Sequence, residues 1–133
     1  MVNVFPYIFT DIATPLRLQF PGIFVTGERV SAPAKFPCVE VIEADNYVVE
    51  SSMDNTMKEN ITALMYEVTV FSNKTSGKRS QCIEILSQID DIMRRKNGQR
   101  FVRTEGYFDS ESSIYMIKAR YRLKTDGYRF YKF

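Results

Sequence analysis

The sequence predicts an α+β protein: a mostly antiparallel sheet with an N-terminal helix and one long amphipathic helix packed on one face. Three observations carry this reading. Between Ser76 and Lys96 the apolar residues recur at helical spacing, whereas Ile61–Phe71 and Ile114–Leu123 alternate with period two. The elements come in the order helix, strands, helix, strands, with hairpin links expected everywhere except one crossover through the long helix. A length of 133 residues, 44% apolar and 26% charged, suits one domain, residues 1–133, whose core needs no disulfide or metal to hold it.

The first helix is predicted from Val2, Phe5, Ile8, Phe9, Ile12 and Leu16, which fall on one face, with Pro6 tolerable in the first turn. Pro15 predicts a kink or pause near Thr14, and Phe20-Pro21-Gly22 ends the segment. Ile23–Thr26 reads as a short strand, 27–35 as a loop, and Phe36–Glu43 as a second strand with Val39 and Val41 on one face. The polar stretch 44–60 predicts a long hairpin or loop whose tip lies around Ser51–Lys58, with Tyr47-Val48-Val49 continuing the strand. In the returning strand Leu64, Tyr66, Val68 and Val70 alternate with Met65, Glu67, Thr69 and Phe71. The long helix carries Cys82, Ile83, Ile85, Leu86, Ile89, Ile92 and Met93 on its stripe, and Asn97-Gly98 stops it. Arg100–Phe108 and Ile114–Leu123 then form an antiparallel pair around a turn at 109–112. In its second strand Tyr115, Ile117, Ala119, Tyr121 and Leu123 face inward, and Met116, Lys118, Arg120 and Arg122 face outward. Asp126-Gly127 marks a turn before an edge strand or free arm at Tyr128–Phe133.

Composition narrows the chemistry. The chain has no histidine, which excludes His-based nucleophile systems and His-ligated zinc, and two cysteines, Cys38 and Cys82, cannot build a four-cysteine cage. Neither cysteine is in a CxxC pair; Cys82 reads as a small core residue. No apolar run reaches the length of a membrane span, and the N-terminus does not read as a signal peptide, so the tripeptides at Asn60 and Asn73 are expected to be chance sequons. The net charge of +2 is divided unevenly. Residues 1–93 hold 7 Lys+Arg against 12 Asp+Glu, a net of −5, and residues 94–133 hold 11 against 4, a net of +7. This predicts a dipolar surface suited to head-to-tail contact between copies, or to a nucleic acid.

Three local patterns invite chemistry. Ser72–Ser80 lies between a strand and a helix as a phosphate loop does, but Ser72 stands where the first glycine is needed and Arg79 where a magnesium-binding hydroxyl is needed. Glu84, Asp90 and Asp91 share the long helix and are expected on its solvated side rather than as an acid–base pair. Lys118, Arg120 and Arg122 on one strand face, followed by the aromatic and basic C-terminus, have the interleaving of some single-strand binders, but the aromatic RNP1 pattern is missing and Tyr115 and Tyr121 point the other way.

Taken together, four stretches carry a resemblance. The helix closing with Phe20-Pro21-Gly22-Ile23, the hairpin ending in Tyr66-Glu-Val-Thr-Val-Phe-Ser-Asn73, the helix Gly77–Met93, and the closing hairpin with Arg103-Thr104 and Ile117-Lys-Ala-Arg-Tyr-Arg122 look like the tail-terminator or tail-completion proteins of long-tailed bacteriophages and related tail-like particles. The resemblance spans nearly the whole chain and is one of pattern and arrangement; neck and head-completion proteins share a similar design. It implies a non-enzymatic protein of the virion tail, assembled in the bacterial cytoplasm, that closes into a hexameric ring. Such a ring caps the tail tube, stops its growth and joins the head. Its partners would be copies of itself, the tail tube protein and a head–tail connector. No cofactor, metal or catalytic residue comes with the resemblance.

A ring needs two different complementary patches per subunit. The sequence offers an acidic stretch (Glu40, Glu43, Asp45, Glu50, Asp54), a basic one (Arg94–Arg103, Lys118–Arg122), an exposed hairpin and a free C-terminus able to join a sheet edge. Candidate contact residues are therefore Tyr47, Val48, Val49 and Glu50 in the hairpin, and Arg94, Arg95, Arg103, Lys118, Arg120 and Arg122 in the basic part. The alternative is another neck component, or a small nucleic-acid-binding domain using the basic face; an enzyme ranks third.

Overall fold

The computed structural model describes residues 2–30, 33–49 and 61–133, with 105–109 described by their backbone alone. It is a mixed α+β fold of two helices and a six-stranded, mostly antiparallel sheet. The order is α1 (Phe5–Gln19), β1 (Phe24–Thr26), β2 (Cys38–Val48), β3 (Thr62–Ser72), α2 (Lys78–Arg95), β4 (Gln99–Asp109), β5 (Ile114–Thr125) and β6 (Phe130–Tyr131). Across the sheet the strands run β1-β2-β3-β5-β4, and β6 pairs with the end of β5.

Helix α1 begins with a proline in its first turn and buries Ile8, Ile12, Ala13 and Leu16. It runs on through Pro15 without the pause that the sequence allows near Thr14. Asp11, whose carbonyl loses its donor to the proline ring, and Pro15 both lie on the exposed side, where water can take the missing bond. Phe20 N–H closes the helix on Leu16 O at 2.8 Å, and Gly22 turns the chain with φ +85°.

Strand β1 corrects a second expectation. It pairs with β2 in parallel, Phe24 opposite Cys38 and Thr26 opposite Glu40, so its link to β2 is a crossover and not a hairpin. Strand β2 runs on to Val48, past a register shift between Glu43 and Asp45. There Ala44 is the extra residue, as in a β-bulge. Its hairpin with β3 continues beyond the strand ends, because Val49 N–H donates to Ile61 O at 2.9 Å. The expected hairpin tip, Ser51–Lys58, lies outside the described residues.

The crossover through α2 joins β3 to β4 and leaves a gap of one strand, which β5 fills by pairing antiparallel to both. Insertion places β3 and β5 centrally, and both are the most deeply buried strands. Val68, Val70, Ile117 and Ala119 lie inward in a core shared with Ile8, Ile12 and Leu16 of α1 and Cys82, Ile85, Leu86, Ile89 and Met93 of α2. Ile83 packs against that core half-buried.

The stop of α2 is tightly built. Gly98 N–H donates to Met93 O at 2.8 Å, and a methyl added at Gly98 would sit 2.9 Å from that same carbonyl and 3.4 Å from Leu123. Neither neighbour is a free side-chain end, so Gly98→Ala is expected to destabilise by about 1–3 kcal/mol through overpacking. Urea denaturation checks this.

Candidate functional site

Away from the helices, the central strands present an ionic cluster on a face that alternation alone would leave to solvent. Glu67 of β3 is buried, and three cations converge on it. Arg29 lies 3.2 Å from Oε1 and Lys118 3.4 Å from the same oxygen, while Arg120 donates through Nε at 3.1 Å and lies within 3.0 Å through Nη2 to Oε2. Strand register explains the convergence: Glu67 is opposite Arg120, and Thr69, next along the same face, is opposite Lys118. Arg29 arrives from the β1–β2 crossover, whose Val30 N–H also donates to Glu40 Oε2 at 2.9 Å. Burial alone would raise the Glu67 carboxyl; the hydrogen bonds and charges of Arg29, Lys118 and Arg120 outweigh it and hold the group below its ordinary value. The cluster thus fastens the crossover to the sheet.

This arrangement revises the acidic and basic patches. Glu40 is buried and Glu43 accepts from Tyr66 OH at 2.9 Å, so neither supplies a free acidic surface. Asp45 is exposed; Glu50 and Asp54 lie outside the described residues. The basic residues do not form one patch either. Lys118 and Arg120 are committed to Glu67, and Arg122, on the same face, donates to Gln99 Oε1 at 2.9 and 2.6 Å and stacks on Phe133. Arg103 falls on the opposite side of the sheet, opposite Ala119 in register, where with Arg100, Ile83, Leu86, Ser87 and Asp90 it lines a small hollow against α2. Arg94 pairs with Asp91 at 2.9 Å at the end of α2, and Arg95 lines the groove between α2 and α1.

Asp90 is not simply solvated: it accepts from Tyr121 OH at 2.7 Å and lies 3.7 Å from Arg100. In the hairpin, Tyr47 is 53% exposed opposite Ala63, and Val48, opposite Thr62, is half-buried. The C-terminus is not a free arm. Strand β6 lies against Lys124 and Thr125, Asn97 Nδ2–H donates to Phe130 O at 2.9 Å, and Lys96 sits over the Phe130 ring. Asp126 anchors the turn before it by accepting from the N–H groups of Tyr128 and Arg129, both at 2.8 Å, and from Tyr131 OH. These bonds, the Arg129 N–H first, pull its carboxyl down to about 2. A lowered carboxyl stabilises above its unfolded value and loses the effect as pH falls through the folded one, so the hold of Asp126 on the arm is expected to be complete above about pH 4 and to weaken as pH falls toward 2. Asp126→Ala should speed amide exchange at Tyr128 and Arg129 at neutral pH while leaving β5 protected.

Reactive groups are held inert. Burial, with Glu40 nearby, pushes the Cys38 thiol up to about 11, and burial pushes Cys82 up to about 12, so neither is an activated nucleophile. Among the described residues no group of three Cys, Asp or Glu could hold a metal, and no helix is long and apolar enough to cross a membrane.

What remains open is the rim of the sheet. Strand β4 pairs only with β5 among the described residues, and its outer part exposes Phe101 and Val102 beside Arg100 and Arg103. Sequence reading missed both this apolar edge and the Glu67 cluster. Glu67 as the lone charge in the strand Ile61–Phe71, with three outward cations in Ile114–Leu123, was the available signal. Neither a scan of protein-family models nor a search of curated proteins gives a match for this chain.

Proposed function

We propose that this chain is a non-enzymatic assembly protein of a phage tail or tail-like particle, which closes into a hexameric ring, caps the tail tube and offers the surface that joins the head. The observation that carries the reading is the sheet rim: an eleven-residue edge strand, β4, with exposed Phe101 and Val102. A long edge strand with an exposed apolar pair offers unpaired backbone groups and a small apolar contact that a second chain can use. Tyr47, exposed near the end of β2, supplies a second contact. A finer layering, with α1 and a long amphipathic α2 together on one sheet face, belongs to the same reading, because it leaves the rim and the hairpin to partners. Copies of the chain, the tail tube protein and a head–tail connector are its partners, and the virion tail, assembled in the host cytoplasm, is its place.

Commitment of Lys118 and Arg120 to Glu67 weakens the nucleic-acid alternative, since a strand of phosphates would have to compete with a buried carboxylate. Light scattering across a concentration series, with electron microscopy, tests the reading. A closed ring of about six copies, alone or on added tail tube, is expected for a terminator that matches tube symmetry. A monomer under both conditions overturns it.

A further inference from the structure

We infer that copies of this chain join edge to edge, β4 of one copy pairing antiparallel with β1 of the next. The ring reading supplies only the number of copies; the contact itself stands on the two open ends of the sheet.

β1 and β4 terminate the strand order, and neither has a second strand partner among the described residues. Their directions are fixed by the pairings between them. β1 runs with β2, which is antiparallel to β3; β3 is antiparallel to β5, and β5 to β4, so β1 and β4 run in opposite senses. Two copies placed side by side in the same orientation therefore bring β4 against the neighbour's β1 as an antiparallel pair. Backbone groups are available for it. Phe24 N–H donates to Pro37 O at 3.0 Å, so Phe24 and Thr26 turn their peptide groups toward β2, and Val25 between them turns its N–H and C=O to the open side.

Side chains complement one another across this contact. Beside β1 lies an open hollow of about 520 Å³, lined by Phe5, Phe9, Val25, Thr26, Gly27 and Glu28. On β4, Phe101 and Val102 stand exposed between Arg100 and Arg103. Arg100 and Arg103 lie on the same face of the sheet as this hollow, with Phe101 the extra residue of the register shift between them, while Val102, opposite Arg120, lies on the other face. Phe101 thus comes against an aromatic hollow, and the guanidinium groups come toward the exposed Glu28 carboxylate, Arg100 while remaining 3.7 Å from Asp90. Pairing β4 with a second β4 instead would set Arg100 and Arg103 against their own copies, a like-charge arrangement that disfavours the symmetric dimer. Because β4 and β1 are different surfaces, the contact is head-to-tail and each copy uses each edge once, which is the requirement for a ring.

The test mixes a Phe101→Cys chain with a Glu28→Cys chain and treats them with a short bifunctional thiol reagent; the native cysteines are buried and give little background. The mixture is expected to yield cross-linked dimer well above either variant alone, and a chain carrying both substitutions to yield a ladder. Phe101→Asp should weaken association, followed by light scattering, by about tenfold or more, as loss of a central apolar anchor does. Its circular dichroism should match the parent, because Phe101 is already 43% exposed. Oligomers that form without the Phe101–Glu28 cross-link overturn this inference and leave the ring reading standing. Dimers from Phe101→Cys alone overturn it in favour of β4–β4 pairing. No association and no cross-link at any concentration overturns it as well, and the ring reading then stands or falls on its own experiment with added tail tube.

Discussion

Glu67→Ala is expected to lower stability by about 2–3 kcal/mol, with a lower urea midpoint and an unchanged slope. Removing one partner of a buried ion pair costs about 3–5 kcal/mol when the abandoned charge stays buried. Here the abandoned cations can reach water, since the Arg29, Lys118 and Arg120 side chains are 61%, 38% and 46% exposed, and the cost falls accordingly. What remains is the loss of hydrogen bonds that hold the β1–β2 crossover to the sheet, together with the cavity left at a buried site. Glu67→Gln keeps an acceptor and should lose about half as much. It also separates charge from shape through pH. The carboxyl is held below its ordinary value in the folded chain, so its contribution is complete above about pH 4.3, the unfolded value, and drains away as pH falls through the lower folded one. The parent should therefore lose stability in that acid window, and Glu67→Gln should lose less of it. Equal acid slopes in the two proteins would remove Glu67 from the account.

Tyr66→Ala is expected to cost more, about 3–5 kcal/mol, the range for truncating a buried aromatic ring. Tyr66 is fully buried in β3 and stacks on Phe5 of α1 with centroids 6.1 Å apart, so the ring ties the first helix to the central strand. Its phenol donates to Glu43, at the edge of the β2 bulge. Tyr66→Phe keeps the packing and removes only that hydrogen bond. Glu43 is partly exposed and can turn to water, so about 1 kcal/mol is expected. Burial, then the Glu43 charge and hydrogen bond, push the phenol well above its ordinary value. A raised phenol leaves the folded state fully favoured below about pH 10 and costs it stability above, an alkaline limb that Tyr66→Phe should blunt. A three-point comparison of parent, Phe and Ala by thermal melting separates ring from hydroxyl.

Much of the fold was legible because its signals are local. The residues from Cys82 to Met93 that turn inward are those whose spacing repeats every three to four positions, and burial follows from helix geometry alone. Strand β5 is legible for the same kind of reason: Ile117, Ala119, Tyr121 and Leu123 are buried, and Arg120 and Arg122 are exposed, as period two requires. Asn97-Gly98 marks the end of α2 because the last turn needs residues that tolerate a left-handed or tightly approached backbone, and Asn97 does adopt φ +58°.

Other features were settled by partners distant in the chain. Simple alternation puts Arg100 and Arg103 on opposite faces of β4, but a register shift between Arg100 and Val102 adds one residue and brings both to the side of α2. One extra residue inverts every side chain beyond it, and no local composition announces where it falls. Likewise, whether Tyr128–Phe133 is an arm or a strand depends on an unclaimed length of β5 past Arg122, which exists only because β4 begins where it does. By itself the sequence determined the α+β class, the inward faces of α2 and β5, and the absence of histidine chemistry. Only the tertiary structure decided that β1 joins in parallel, that Glu40 and Glu67 are buried acids held by cations from the β1–β2 crossover and from β5, and that β1 and β4 end the sheet among the described residues. Alternation and spacing are properties of neighbours along the chain, whereas register, strand order and ion pairing are properties of segments that meet only after folding.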